Sequence, residues 1–229
     1  TPLGRRAVVG EPTNLRPIRK HKGILMESFR VDGRSGHSSN PALGRSALEG
    51  MHRVISEVLA YRAEVQAANH DDSFEVTTPT LNLGRIAGGD APNRICASCE
   101  LAYDFRALPG MNAGEERAKL HERVRNALRG SGLDVSFSSL AQMVDPFETA
   151  ADAELVRTLE ALTGQLSGAV AFATEGPFYN ALGMETVVMG PGSIDVAHQP
   201  NEFLPLDSIE PTLDLLSQLI TRYCVQPNG

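Results

Sequence analysis

The 229-residue sequence is poor in features that mark two large classes of protein. Long apolar runs are missing, and none approaches the ~20 residues needed to cross a bilayer. Runs of lysine and arginine are also missing, and the net charge of −7 opposes binding to nucleic acid. The sequence therefore predicts neither a membrane partner nor a nucleic-acid partner.

Cysteine is also scarce, with Cys96, Cys99 and Cys224 as the three in the chain. An odd number is unlike the paired framework of a small secreted protein. Cys96 and Cys99 have a spacing found in zinc and redox sites, but they lie in an alternating run typical of a strand, which would place the thiols on opposite faces. We interpret them as structural thiols and expect a reducing, cytoplasmic setting.

Hydrophobic periodicity predicts a compact module in the middle of the chain. Apolar residues alternate in four segments and recur at helical spacing in two others. The resulting order, β-α-β-β-α-β, indicates an antiparallel sheet with two helices on one face. The predicted elements are a strand over 24–31, a helix over 41–67, strands over 80–86 and 94–108, a helix over 112–128 and a strand over 135–140.

Residues on either side of this module follow a different hydrophobic pattern. Short apolar strands alternate with helices after about residue 141, which is typical of a parallel α/β sheet. Residues before the module read as one strand that stops at Glu11, followed by a turn. The fold class is therefore α/β, with segments 1–22 and 141–229 forming one catalytic-type domain and 23–140 inserted as a lid.

Two residues of these outer segments suggest metal chemistry. Glu11 stands directly after an apolar strand, and His198 lies in a loop bounded by glycine and proline. Carboxylate and imidazole are both zinc ligands, but one of each is too few for a complete site. The sequence starts without methionine and without a signal peptide's apolar core, so we expect a chain that begins inside a longer protein.

Four groups of motifs are distinctive in this sequence. They are Gly10-Glu11-Pro12-Thr13; Gly33-Arg34-Ser35-Gly36-His37-Ser38-Ser39-Asn40-Pro41; Gly88-Gly89-Asp90-Ala91-Pro92-Asn93-Arg94 with Asp104-Phe105-Arg106; and Ala173-Thr174-Glu175-Gly176-Pro177-Phe178 with Gly190-Pro191-Gly192-Ser193 and Ala197-His198-Gln199-Pro200. In their order and spacing these motifs resemble those of the M20 family of co-catalytic zinc exopeptidases and amidohydrolases, and the resemblance covers nearly all of the chain.

This resemblance implies a zinc-binding α/β domain interrupted by a β-α-β-β-α-β (ferredoxin-like) lid that dimerises. It implies two zinc ions per complete site, replaceable by cobalt, with Glu11 as a ligand of one ion and His198 as a ligand of the other. The family's remaining ligands and its general base would precede Thr1. We therefore expect this chain to be inactive by itself.

Roles for four further residues follow from the same resemblance. His37 would donate to the tetrahedral oxyanion, reaching from the lid of the partner subunit. Asn93 would assist there or bind substrate, and Arg106 would hold the substrate α-carboxylate. Thr174 would line the same pocket.

Simpler interpretations stay open for these residues. Glu11 could be a turn carboxylate, and His198 a loop histidine satisfied by hydrogen bonds. His37 could cap the helix that follows, and Arg106 could be a surface residue paired with Asp104. The remaining histidines, interpreted as solvated or structural, are His21, His52, His70 and His121.

The activity implied by the resemblance is metal-dependent hydrolysis of the acetyl amide of N-acetyl-L-ornithine, a step of arginine biosynthesis, by a cytoplasmic homodimer. Related substrates are alternatives: succinyl-diaminopimelate, acetylcitrulline or dipeptides. A different class of function also stays open, in which the chain is a non-catalytic dimerisation fragment built on its central module.

Overall fold

The computed structural model describes residues 4–225, so residues 1–3 and 226–229 of the predicted outer segments lie outside the description. The chain divides into two compact units. Unit 2 runs from Lys22 to Pro146, and unit 1 combines the described residues up to His21 with those from Phe147 onward. Among residues 4–225, no helix has the length and apolar character of a membrane span.

Strands and helices are numbered in chain order. The strands are β1 (Arg6–Val9), β2 (Ile18–His21), β3 (Leu25–Asp32), β4 (Gly36–His37), β5 (Thr80–Gly88), β6 (Arg94–Ile95), β7 (Ser98–Arg106), β8 (Asp134–Ser139), β9 (Phe147–Glu148), β10 (Gly168–Val170) and β11 (Glu185–Val188). The α-helices are α1 (Ala47–Ala68), α2 (Ala113–Ala127), α3 (Glu154–Thr163), α4 (Gly176–Ala181) and α5 (Ile209–Ile220).

Unit 2 has the predicted β-α-β-β-α-β architecture. Its sheet has the strand order β5-β7-β3-β8, and every neighbouring pair is antiparallel. Alternate residues of β7 are buried, as expected for a strand with one face in the core. The core joins this face to the apolar sides of both helices, with Phe29, Val54, Leu101, Phe105 and Val124 among its buried members.

Helix α1 begins later than predicted. Ser46 is its N-cap and accepts a hydrogen bond from the backbone nitrogen of Glu49 at 3.4 Å. Serine followed three residues later by glutamate is the sequence pattern of a capping box. The prediction of a helix from Pro41 was wrong because Pro41–Leu43 forms a separate 3-10 turn and Gly44 is extended.

The predicted strand over 94–108 is interrupted. β6 pairs with β4 in a two-stranded ribbon outside the main sheet, and only β7 joins the sheet. Cys96 lies in the break before β7, so the prediction that it shares one strand with Cys99 was wrong, and both thiols are buried. Burial raises the pKa of the Cys99 thiol, with a further contribution from Cys96, which suits a structural and unreactive role.

Unit 1 contains a mixed sheet rather than the predicted parallel one. β1 is parallel to β11 and β10 is parallel to β2, but β2 runs antiparallel to both β11 and β9. β2 is the strand that the sequence analysis interpreted as a turn. Its four residues include two basic side chains, and its pairing partners lie more than a hundred residues away along the chain.

Candidate active-site residues of the two units

Glu11 and the His198 loop follow neighbouring parallel strands of unit 1. Glu11 comes two residues after the end of β1, and the loop that contains His198 begins after β11. β1 and β11 are in register from Arg6 opposite Glu185 to Val9 opposite Val188. The carboxyl ends of parallel strands meet at one edge of a sheet, where ligands commonly bind. The fold therefore directs both predicted zinc ligands to one edge.

Backbone hydrogen bonds tie the two loops together. The nitrogens of Thr13 and Leu15 donate to the carbonyl of Gly190 at 3.2 and 2.9 Å, and Asn14 donates to Gly192 at 2.7 Å. A Cβ on Gly190 would lie 2.7 Å from the carbonyl oxygen of Glu11. Only glycine permits this close approach, so Gly190 sets the spacing between the loops.

His198 occupies an unusual backbone conformation for a residue with a side chain. Its φ is 59°, in the left-handed region, and its backbone nitrogen donates to Glu202 Oε2 at 3.0 Å. Its side chain is exposed, and the imidazole makes no hydrogen bond within residues 4–225. Strained backbone of this kind often occurs where a loop holds a functional group in place.

The charge environment of Glu11 includes a residue that sequence reasoning did not single out. Burial raises the pKa of the Glu11 carboxyl, the charge of Glu175 raises it further, and His198 lowers it. Glu175 is the N-cap residue of α4 and is exposed. Glu175 directly follows the predicted pocket residue Thr174 in the sequence, and this position together with its acidic side chain is the signal that could have identified it.

Glu11 and His198 carry donor atoms of the types that zinc accepts. Carboxylate oxygen and imidazole nitrogen are both zinc donors, and the Glu11 carboxylate is partly buried. Among residues 4–225, however, no group of three or more His, Cys, Asp or Glu side chains could hold a metal ion. Glu11 and His198 therefore suit part of a zinc centre, and a complete centre needs further ligands.

Thr174 is buried and makes structural contacts. Its backbone nitrogen donates to His21 Nε2 at 3.2 Å, and its hydroxyl oxygen accepts from the backbone nitrogen of Gly176 at 3.0 Å. The His21 ring stacks on Phe147 with 5.1 Å between centroids, so His21 is structural. These bonds fix Thr174 at the start of α4, and its substrate-binding role stays a prediction.

In unit 2, the β4–β6 ribbon brings His37 and Asn93 close to each other. His37 pairs with Arg94, and the backbone nitrogen of Ser38 donates to the carbonyl of Asn93 at 3.1 Å. His37 is exposed and is not the cap of α1, since Ser46 has that position. The ribbon therefore brings together His37, the predicted catalytic residue, and Asn93, a predicted substrate-binding residue.

Arg106 is paired with Asp104, as the simpler interpretation proposed. Arg106 Nε donates to Asp104 Oδ2 at 2.9 Å. The two terminal nitrogens of Arg106 make no hydrogen bond to other described residues, and the second carboxylate oxygen of Asp104 is buried without a partner. The pair orients the guanidinium and leaves its terminal edge available to a ligand.

A buried carboxylate in unit 2 was also missed. Glu27 on β3 is fully buried and accepts hydrogen bonds from Tyr103, Arg117 and His121 at 2.8, 2.5 and 2.7 Å. Burial would raise its pKa, but the hydrogen bonds from His121 and Tyr103 and the nearby positive charges hold that pKa below its usual range. The sequence signal that could have indicated a buried acidic partner is the pair Arg117 and His121, which lie four residues apart on one face of a helix.

Sequence comparison shows which known proteins this chain is similar to. Residues 19–131 match the M20 peptidase dimerisation domain. The chain is 42% identical over 218 residues to the acetylornithine deacetylase of Pasteurella multocida, and 45% identical over 218 residues to that of Edwardsiella ictaluri. Each alignment covers 95% of this chain but only 57% and 56% of the relative. The chain thus spans little more than half the length of these curated relatives.

Solved structures show the same fold. Aminopeptidase PepT from Bacillus cereus aligns over 94% of this chain and 56% of its own, with a TM-score of 0.72 and 17% identity. A tripeptidase from Staphylococcus aureus aligns over 92% of this chain and 54% of its own, with a TM-score of 0.67 and 16% identity. The matched domain, the sequence identities and this common fold together show that the chain belongs to the M20 family.

Proposed function

We propose that the protein containing this chain is a zinc-dependent amidohydrolase that removes the acetyl group from N-acetyl-L-ornithine, giving ornithine and acetate. The observation that carries this proposal is the identity of 42–45% with acetylornithine deacetylases over 95% of the chain. The fold alone does not select a substrate, because one fold supports many activities.

Glu11 and His198 are the residues of this chain that would hold zinc. Bound zinc would supply a water of lowered pKa and polarise the amide carbonyl. The hydrogen bonds between the two loops join the backbone after Glu11 to Gly190 and Gly192, and the backbone of Glu11 lies directly against Gly190. This rigidity supports a positional role for both residues.

Substrate binding is proposed for Arg106. Asp104 occupies the Nε edge of the guanidinium, so Nη1 and Nη2 are oriented as a pair. Two parallel N–H donors match the two oxygens of a carboxylate. An α-carboxylate is present in every N-acyl amino acid, so this contact supports the substrate class and leaves the identity of the side chain to other residues.

His37 is proposed as the donor to the oxyanion, acting in the active site of the partner subunit. The matched dimerisation domain supports a homodimer. Leu48 on α1 and Ile86 on the edge strand β5 are exposed apolar residues of unit 2. An open strand edge with apolar neighbours can pair with its symmetry mate about a two-fold axis.

The substrate assignment is tested with the intact zinc-loaded enzyme and a panel of N-acyl amino acids and dipeptides. N-acetyl-L-ornithine should give the highest kcat/KM. A higher value for N-succinyl-diaminopimelate, N-acetylcitrulline or a dipeptide would replace ornithine in this proposal and leave the family assignment intact.

The composite site is tested by mixing two inactive variants, His37→Ala and His198→Ala. A mixed dimer contains one site with both residues intact, so subunit exchange should restore part of the activity. Proven exchange without recovery would remove the role of His37 in the partner's site.

A further inference from the structure

The surroundings of the His37 ring specify where its proton lies. The backbone nitrogen of Ser39 lies 3.2 Å from His37 Nδ1, with hydrogen-bond geometry, and the hydroxyl oxygen of Ser39 lies 2.8 Å from the same atom. A backbone N–H can only donate, so Nδ1 must be the acceptor. A neutral imidazole carries one ring proton, which must then be on Nε2.

The same logic settles the direction of the hydroxyl contact. A hydroxyl can donate or accept, but Nδ1 has no hydrogen to give it, so the Ser39 hydroxyl donates. Nδ1 therefore receives two donors from one residue. His37 Nε2 makes no hydrogen bond within residues 4–225, and the side chain is exposed, so its N–H is available to an incoming acceptor.

We infer that Ser39 is a positioning residue: its two donors hold His37 as the Nε2–H tautomer, so that unit 2 presents an N–H rather than a lone pair. The catalytic consequence rests on the proposed function, because a developing oxyanion is stabilised by an N–H and repelled by a nitrogen lone pair. The tautomer itself follows from the contacts alone.

The backbone around the two residues keeps this arrangement in place. His37 is held in the ribbon opposite Arg94, and Ser38 donates to Asn93 on the other strand. The nitrogen of Asn40 donates to the carbonyl of His37 at 3.1 Å, closing a turn that contains Ser39. The Nδ1 side of the ring is therefore held against its own turn, and Nε2 lies on the other side of the ring.

Ring NMR of the 229-residue chain tests the inference without any need for activity. Two-bond ¹H–¹⁵N correlation spectra distinguish the two neutral tautomers, and comparison with His37→Ala assigns the signals. At about pH 8.5, well above the ordinary histidine pKa of ~6.5, His37 should show the Nε2–H pattern. An Nδ1–H pattern in the unsubstituted chain would overturn the inference.

Matched variants isolate the contribution of the Ser39 hydroxyl to the tautomer ratio of His37. Ser39→Ala should raise the ratio of the Nδ1–H to the Nε2–H tautomer roughly three- to tenfold, the effect of losing one neutral hydrogen bond. Ser39→Thr retains a hydroxyl and should keep the original pattern. Ser38→Ala removes the neighbouring hydroxyl, which makes no hydrogen bond to the ring among the described residues, and should leave the ratio unchanged. An equal ratio in Ser39→Ala and Ser38→Ala would overturn the role of Ser39.

Activity of the intact zinc-loaded enzyme gives an independent readout. Ser39→Ala should lower kcat in proportion to the Nε2–H population that it loses, a fall smaller than the change in tautomer ratio, without changing zinc content, and Ser39→Thr should recover it. If the NMR result is as expected and His37→Ala keeps full activity, the inference stands and the proposed role of His37 fails. If His37→Ala is inactive and the ring is Nδ1–H, the proposed function stands and the inference fails.

Discussion

Unit 2 and unit 1 differ in how completely they bury their apolar side chains. In unit 2, both helices and the sheet share one continuous core. In unit 1, the buried apolar residues of the described chain fall into two smaller clusters. Helix α5 buries Leu215 and Leu219, but its remaining apolar residues are exposed at helical spacing: Ile209, Leu213, Leu216 and Ile220.

This contrast separates two ways of holding functional residues. Unit 2 has a core of its own, and its candidate residues His37, Asn93 and Arg106 stand on strands or at their ends. In unit 1, Glu11 and His198 lie in loops that are joined by backbone hydrogen bonds around Gly190. We therefore expect changes at exposed residues of unit 2 to affect chemistry alone, and changes at the unit 1 loops to affect stability as well.

The largest expected effect sharpens this contrast at His37. His37→Ala should lower kcat of the intact enzyme by roughly a hundredfold or more, because it removes the proposed oxyanion donor. The side chain is exposed, so the free energy of unfolding of unit 2 should stay unchanged. Enzyme kinetics and zinc analysis check both parts. Loss of zinc in this variant would mean that His37 is a metal ligand.

The next effect concerns the buried carboxylate of unit 2. Glu27→Gln removes the negative charge that Arg117 and His121 face, and should lower the free energy of unfolding by about 3 kcal/mol. Urea unfolding of a fragment spanning residues 22–146, followed by circular dichroism, measures it. Glu122→Gln on the exposed side of α2 is the matched control. Equal stability of the two variants would show that the buried network does not stabilise unit 2.

A smaller effect is expected at the loop contact of unit 1. Gly190→Ala should destabilise unit 1 by about 2 kcal/mol, because the new Cβ would press against the backbone of Glu11. Gly10→Ala is the control, since a Cβ there meets no atom within 4 Å. Thermal unfolding of the whole chain compares them. If the two variants melt alike, the close approach of the loops is not what holds them.

The stability of unit 2 should depend on pH in the acidic range because of the titration of Glu27. Its folded-state pKa lies below the unfolded value, so its contribution to stability is present above about pH 4.3, the ordinary glutamate value, and is lost as the pH falls through the folded-state pKa. Unfolding of residues 22–146 between about pH 2 and 6 measures this loss. In Glu27→Gln the slope should be shallower, and an unchanged slope would assign the titration to other carboxyls.

The smallest effect is expected at the pair that orients Arg106. Asp104→Asn keeps an acceptor for Arg106 Nε but removes the charge, and should raise KM a few-fold with kcat unchanged. Steady-state kinetics with N-acetyl-L-ornithine would show the split. A fall in kcat at constant KM would place Arg106 in the chemical step rather than in substrate binding.

Much of unit 2 could be predicted from sequence because its signals are local. Alternation identified β3, β5 and β8, and Asn112 was correctly expected to cap α2. The break between β6 and β7 could not be found in this way. There the carbonyls of Cys96 and Ala97 accept from Ala47 and Gly33, residues distant in sequence, and these bonds replace strand pairing.

Strand β2 was missed for a related reason. Its burial comes from strands contributed by later parts of the chain, and its own residues carry too little apolar character to show it. For the site, the resemblance of the motifs to those of the M20 family gave the candidate residues and their expected roles. The ring tautomer of His37 and the Nε anchoring of Arg106 depend on side-chain geometry, which no spacing specifies.

The discontinuity of unit 1 has a consequence for the order of folding. Thr13 and Gly190, which hold its two loops together, are separated by 177 positions in the chain, and closing so long a loop costs conformational entropy. The ends of unit 2 are adjacent, since Ile24 pairs with Val144 in an isolated bridge. Once unit 2 has folded, the chain that separates the halves of unit 1 is effectively short. Folding of the central segment first therefore lowers the entropic barrier to assembling the sheet edge that carries Glu11 and His198.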